Sequence, residues 1–286
     1  MSLAKLFQLS RPRFWIYVFG PYIVGLVAGA RQLPDLRTWP IFLLGLYFLL
    51  PANLLIYGVN DIFDYETDKD NLKKIEYETL VTPDERPALW RAILFTNAPF
   101  LLLLPYMSTH VVAALLAFLG FSVFYSSPPI RAKTIPIVDS AFNVLYIFPG
   151  VLSYLLASGE RVSLVPFVAA WCWAMAMHAY SAVPDISSDR RVGLNTVATY
   201  LGFYGTLVFC AALYALAAIL SFHLLGRLSA ALGIVYLILI RLSLGAQDET
   251  GVLRIYKWFP LVNTLAGFVM FWWIVLSKFP LAQLLP

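Results

Sequence analysis

Charge is what this chain has least of. Lys, Arg, Asp and Glu make up 13% of its 286 residues, about half the ~25% usual in a soluble domain. Hydrophobic residues make up 60%, and the mean hydropathy is strongly positive. A soluble fold of this length needs a polar surface that so few charges do not supply, so the solvent for much of the chain is lipid. There are two cysteines, Cys172 and Cys210, both in apolar stretches. They read as inert buried thiols and exclude a disulfide framework or a thiolate metal pair. The net charge of +4 is spread over short loops, which excludes a nucleic-acid surface. The opening "MSLAKLFQLSRPRFW" lacks a short apolar core ending in a small-residue cleavage site, so no cleaved signal peptide is expected. No soluble domain or low-complexity tract stands out. The expected fold class is all-α, a polytopic membrane protein with one integral-membrane domain over 1–286.

A hydrocarbon core of ~30 Å takes about 20 apolar residues per helix. Polar and Pro/Gly-rich breaks predict nine transmembrane helices, over 14–30, 40–60, 88–106, 110–126, 136–157, 163–184, 198–222, 228–245 and 257–277. Fifteen of the 20 Lys and Arg fall on the N-terminal side of such a bundle. The other side holds Arg31, Arg37, Arg161, Arg227 and Lys278. This bias predicts a cytoplasmic N-terminus, an outside C-terminus and residence in the cell membrane.

The few acids are not scattered. Asp61, Asp64 and Asp68 follow the second predicted helix at i, i+3, i+7, which is one stripe of a helix. Asn53 and Asn60 fall close to it. Asp185 and Asp189, at i, i+4, follow the sixth, with His178 two turns deeper on nearly that face. Both helices end on the predicted cytoplasmic side. Glu66 and Asp70 read as solvated loop acids. For the stripe and its partner pair, mutual repulsion and burial call for a cation. Oxygen-only ligands, with no Cys/His set at zinc-like spacing, point to Mg²⁺. Two such sets across a cavity are expected to clamp a diphosphate.

A diphosphate also needs donors. "YSSPPIRAKTIP" follows the fourth predicted helix, where Pro128 and Pro129 end the helix and stiffen the loop. Tyr125, Ser126, Arg131 and Lys133 are placed there to donate to phosphate oxygens. Arg11 at the mouth of the first helix and Arg190 beside the second acidic pair are further candidates.

These segments resemble a known family. "NDIFDYETD" fits the N-D-x-x-D-x-x-x-D motif of the UbiA superfamily of intramembrane prenyltransferases. "DISSD" followed by "RRVGLNT" resembles its second acidic motif, and "YSSPPIRAK" its tyrosine-containing loop. The resemblance implies Mg²⁺-dependent transfer of a prenyl group from an allylic diphosphate to a lipophilic acceptor. It implies that Asn60, Asp61, Asp64, Asp68, Asp185 and Asp189 hold the metal, and that Asn53 lines the cavity. Two departures stand out. Leu194 occupies a position where many members carry Lys, and the segment after the first motif is longer than in members that act on aromatic acids. That segment, "SRPRFWIYVFGP" and "HAYSAVPDISSDRRVGLNTVATYLG" look closest to the lycopene elongase branch, which implies dimethylallyl diphosphate as donor and a linear carotenoid as acceptor.

In that chemistry the final cation loses a proton or takes up water. His178 and Asp139 are the candidate bases on the acceptor side, because an ionisable group within a span is functional by default. Trp15, Tyr57, Trp173 and Tyr180 are the aromatic candidates for cation stabilisation. Two alternatives stand beside this reading. One is the same chemistry on an aromatic quinone precursor, a chlorophyllide or a glycerol-ether lipid. The other is a cation-coupled transporter, which is disfavoured because the acids sit at helix ends rather than at the midplane and no inverted repeat is evident.

Overall fold

The computed structural model describes residues 1–68, 79–246 and 248–279, with the side chains of 66–68 left out of the description. Asp70 therefore lies outside the described residues, as do the side chains of Glu66 and Asp68. Among the described residues the secondary structure is helical, with no strand. In chain order the helices are α1 (Leu3–Leu9), α2 (Ile16–Gly29), α3 (Trp39–Leu49), α4 (Pro51–Asp68), α5 (Arg86–Leu101), α6 (Thr109–Ser126), α7 (Val138–Ala141), α8 (Phe148–Ser158), α9 (Leu164–Ala182), α10 (Ile186–Arg191), α11 (Val197–Leu225), α12 (Arg227–Gly245), α13 (Glu249–Tyr256) and α14 (Phe259–Lys278).

Eight helical stretches among the described residues are long and apolar enough to cross a membrane. They correspond to the second through ninth predicted spans. The first predicted span, 14–30, is the apolar helix α2 of 14 residues. At 1.5 Å per residue it is about 21 Å long, short of the ~30 Å hydrocarbon core. Three other predicted spans are broken. The second, 40–60, divides at Leu50 into α3 and α4, which starts at Pro51. Pro184 cannot donate to a carbonyl one turn back, so α9 ends at Ala182 and passes through a 3₁₀ turn, Val183–Asp185, into α10. The fifth span divides into α7, a 3₁₀ turn over Phe142–Tyr146, and α8, whose second residue is Pro149.

The chain forms two compact units interleaved in sequence. The first comprises 1–131, 148–161 and 273–286; the second comprises 132–147 and 162–272. In the first unit α2 and α8 approach so closely that a Cβ at Gly25 would lie 2.0 Å from the Gly150 carbonyl oxygen, and one at Gly29 would lie 2.6 Å from that of Tyr154. Small residues four apart allow this contact, the usual device where lipid removes the hydrophobic drive between helices. Tyr22 Oη donates to the Ile41 carbonyl at 2.6 Å, and Ser153 Oγ donates to the Tyr22 carbonyl at 2.6 Å. Tyr47, Phe48 and Phe118 pack edge-to-face in the buried interior. Helix α4 sits among α1, α3, α5 and α6, which directs its last turns toward both the N-terminal segment and the end of α6.

In the second unit α11 packs against α9 and α12. Tyr214 and Tyr236 stack with ring centres 4.5 Å apart, and the hydroxyls of Tyr180 and Ser243 are hydrogen-bonded at 2.8 Å. Gly202, at φ 70°, kinks α11 one turn after its start.

Candidate active site

Helix α4 begins apolar and ends acidic. Its first turns carry Asn53, fully buried, whose Nδ2 donates to the carbonyls of Phe48 and Leu49, both at 3.0 Å. These are terminal carbonyls of α3, left without helical partners where Pro51 starts a new helix. The Asn53 amide nitrogen thus caps the end of α3.

Two turns on, Asn60, Asp61 and Asp64 form a polar cluster within the first unit. Asn60 Nδ2 donates to Asp64 Oδ2 at 2.6 Å and to Ser126 Oγ at 3.1 Å. Both acids are buried, at 8% and 4% exposure, and Ser126 is at 1%. Arg11 Nη2 lies 2.5 Å from Asp61 Oδ1. The guanidinium also lies over the Tyr57 ring, 4.8 Å from its centre. Tyr57 and Asp61 are i, i+4 on α4, so one cation spans a ring and a carboxylate on the same stripe. The residue reaches there from left-handed backbone, φ 51°. Asp68 closes the helix, with its side chain outside the described residues. Tyr125 and Ser126 form the last turn of α6, and Arg131 follows in left-handed backbone, φ 47°.

The second unit holds the second acidic set. Asp185 ends the 3₁₀ turn and Asp189 lies in α10, both half-buried. They therefore do not share the single uninterrupted helix that their i, i+4 spacing suggested. Between them, Ser187 donates to Glu249 through its backbone N–H at 3.2 Å and its hydroxyl at 2.7 Å. Glu249 opens α13 after the cap Asp248. Sequence reasoning passed over it, since an acid about sixty residues downstream shows no periodic relation to Ser187. Arg190 is exposed and donates to the Thr199 carbonyl at 3.2 Å, next to the Gly202 kink. Lys133 is buried at 7% exposure in the 3₁₀ turn Ala132–Thr134.

Asp139 is completely buried. Its Oδ1 accepts from the Ser140 N–H at 2.7 Å and its Oδ2 from the Val197 N–H at 2.8 Å. Val197 is the first residue of α11, so a carboxylate from α7 covers the positive end of that helix. His178 Nε2 is 3.7 Å from Asp139 Oδ2. The two candidate bases thus stand together, and Asp139 has both oxygens on backbone donors. Among the aromatic candidates, Trp15 Nε1 donates to the Ser10 carbonyl at 3.0 Å, and Tyr180 is buried against Phe259.

Among the described residues no three His, Cys, Asp or Glu side chains converge as a ready-made metal cage. The donor set of the first unit still suits a hard cation. Asp61, Asp64 and Asn60 offer oxygens only, and Mg²⁺ is commonly held by one or two carboxylates with waters and phosphate oxygens completing its octahedron.

Comparison with known proteins follows the same line. The profile of the UbiA prenyltransferase family matches residues 18–275. The chain is 38% identical over 284 residues to a lycopene elongase/hydratase of Haloferax volcanii, covering 94% of this chain and 87% of that protein. Its fold is similar to that of a UbiA homolog from Archaeoglobus fulgidus. The form bound to GPP and Mg²⁺ superposes with a TM-score of 0.69 at 19% identity, over 93% of this chain and 99% of the other. The form bound to DMAPP and Mg²⁺ gives 0.66 at 19%, with the same coverage.

Proposed function

The chain belongs to the UbiA prenyltransferase family, and from that premise we propose that this membrane prenyltransferase transfers a dimethylallyl group from its diphosphate to a linear carotenoid, lycopene or a close relative. The acceptor rests on one observation, the 38% identity over 94% of the chain to a lycopene elongase/hydratase. The donor is supported by the DMAPP held by a protein of the same fold.

Asn60, Asp61, Asp64, Asp68, Asp185 and Asp189 are the residues that would hold Mg²⁺ for the diphosphate. When bound, the metal supplies charge stabilisation to the leaving group. Arg11, Tyr125, Ser126, Arg131, Lys133 and Arg190 are assigned as donors to phosphate oxygens, where charge grows as the allylic C–O bond breaks and its electron pair leaves with the diphosphate. The allylic cation that remains is attacked by a terminal double bond of the acceptor. An apolar surround keeps water from that cation, which the 60% hydrophobic composition supports. The new tertiary cation is discharged by loss of a proton or addition of water, with His178 as the proton acceptor and Asp139 beside it. Asn53 is assigned to the acceptor side. With α2 as a short ninth crossing, the N-terminus and both acidic segments are assigned to the cytoplasmic face and the C-terminus to the outside, a reading that the distribution of Lys and Arg supports.

The test is to feed membranes containing the protein with labelled dimethylallyl diphosphate and either lycopene or aromatic acids. Label is expected in products extracted with the carotenoid. Incorporation into aromatic acids alone contradicts the acceptor assignment.

A further inference from the structure

The Arg11–Asp61 pair carries more than a surface ion pair does. Asp61 is 8% exposed, and a carboxylate so placed needs a positive partner at all times. Arg11 Nη2 supplies it at 2.5 Å, with the guanidinium over Tyr57. Its side chain is itself only 13% exposed.

The local chain is built to hold it there. Arg11 adopts φ 51°, ψ 69°, a region that non-glycine residues rarely visit. Its N–H donates to the Gln8 carbonyl at 2.9 Å, and its carbonyl accepts from the Phe14 N–H at 2.8 Å. Pro12 follows and fixes the exit of the turn. Backbone of this kind clusters at ligand clamps and switch regions. The neighbouring Lys5, which joins Glu85 at 24% exposure, has ordinary helical backbone.

We propose that Arg11 is a resident counter-ion that occupies Asp61 in the empty enzyme and shifts to the diphosphate when metal and donor arrive together. The proposal rests on the functional reading above, in which Asp61 is a metal ligand. A divalent ion alone competes with the guanidinium already on Asp61 Oδ1 and brings a second positive charge close to it. A diphosphate removes that penalty by giving Arg11 new oxygens to bind. Metal and donor are then positively coupled, by about 5–150-fold as is typical of linked sites, and each tightens the other equally. The enzyme thereby avoids holding a bare metal ion, and donor binding becomes the event that completes the site.

The test uses the full-length protein in lipid nanodiscs, with Mn²⁺ as the paramagnetic probe and the unreactive dimethylallyl S-thiolodiphosphate as donor mimic. Protein-bound Mn²⁺ is measured by electron paramagnetic resonance. Wild type is expected to bind Mn²⁺ weakly alone and at least about fivefold more tightly with the mimic. Arg11→Gln is expected to tighten Mn²⁺ binding in the absence of the mimic and to lose most of the gain on adding it. Arg11→Lys, which keeps the charge but not the planar fork, is expected to fall between the two. Lys5→Gln removes a charge from the same segment and is expected to match wild type. Arg11→Gln and Arg11→Lys that both bind Mn²⁺ as wild type does, with and without mimic, while Asp61→Asn weakens it, overturn the counter-ion role alone. Mn²⁺ binding unaffected by Asp61→Asn overturns the metal assignment as well.

Discussion

Arg11 and Asp61 are fifty residues apart in sequence and meet at 2.5 Å. Asn60, Asp64 and Ser126 meet in the same unit, although α6 contributes Ser126 from another stretch of chain. The acids themselves were legible in the sequence, because helical spacing sets them in one stripe of an otherwise apolar helix. Their protein partners were not, because nothing in a periodic pattern says which distant side chain closes a pair. Asn53 shows the opposite case: it sits near the acidic stripe, yet its amide nitrogen serves the end of α3. These roles separate in mutants. Asp64→Asn is expected to lower prenyl transfer on the order of 10²-fold or more, as loss of a preorganised charge does, with little change in thermal midpoint. Activity within a few-fold of wild type contradicts the assignment of Asp64. Asn53→Ala is expected to destabilise the protein by about 1–3 kcal/mol, since buried carbonyls lose their donor; thermal unfolding in detergent measures it.

At the scale of helices, composition and periodicity located eight of the spans, and Pro51, Pro149 and Pro184 explain why three of those are broken. The first predicted span is a 14-residue helix because the chain leaves helical geometry at Ala30, in extended conformation, and enters from the turn at Pro12–Phe14. The contact between α2 and α8 depends on "GLVAG", Gly25 to Gly29, a local signal readable in the sequence but meaningful only once the partner helix is known. Gly25→Ala would set a methyl 2.0 Å from the Gly150 carbonyl oxygen, so the two helices must separate. The expected loss is at least the 1–3 kcal/mol usual for overpacking, read as a lowered thermal midpoint. Gly120→Ala meets nothing within 4 Å in α6 and is expected to be neutral or to stabilise by about 0.5–1 kcal/mol. Equal midpoints for the two variants contradict the close packing of α2 on α8. Asp139 illustrates a tie between elements that spacing does not reveal: an acid in a four-residue helix covers the start of α11 across 58 positions of chain.

For the whole molecule, the proposed chemistry ties the scarcity of charge to the clustering of acids. Allylic ionisation needs concentrated negative ligands for a metal on the diphosphate and an apolar surround for the cation, and a membrane bundle supplies the second without a soluble core. Both acidic sets are needed on this account, so removal of either is expected to abolish transfer. The direct measurement of the central claim is carotenoid profiling by mass spectrometry in a lycopene-producing host, with and without the gene for this protein. The account predicts new carotenoids heavier by one or two five-carbon prenyl units, free or hydrated, which vanish in the Asp61→Asn and Asp64→Asn variants. An unchanged lycopene pool in cells that contain the folded protein in their membranes contradicts it.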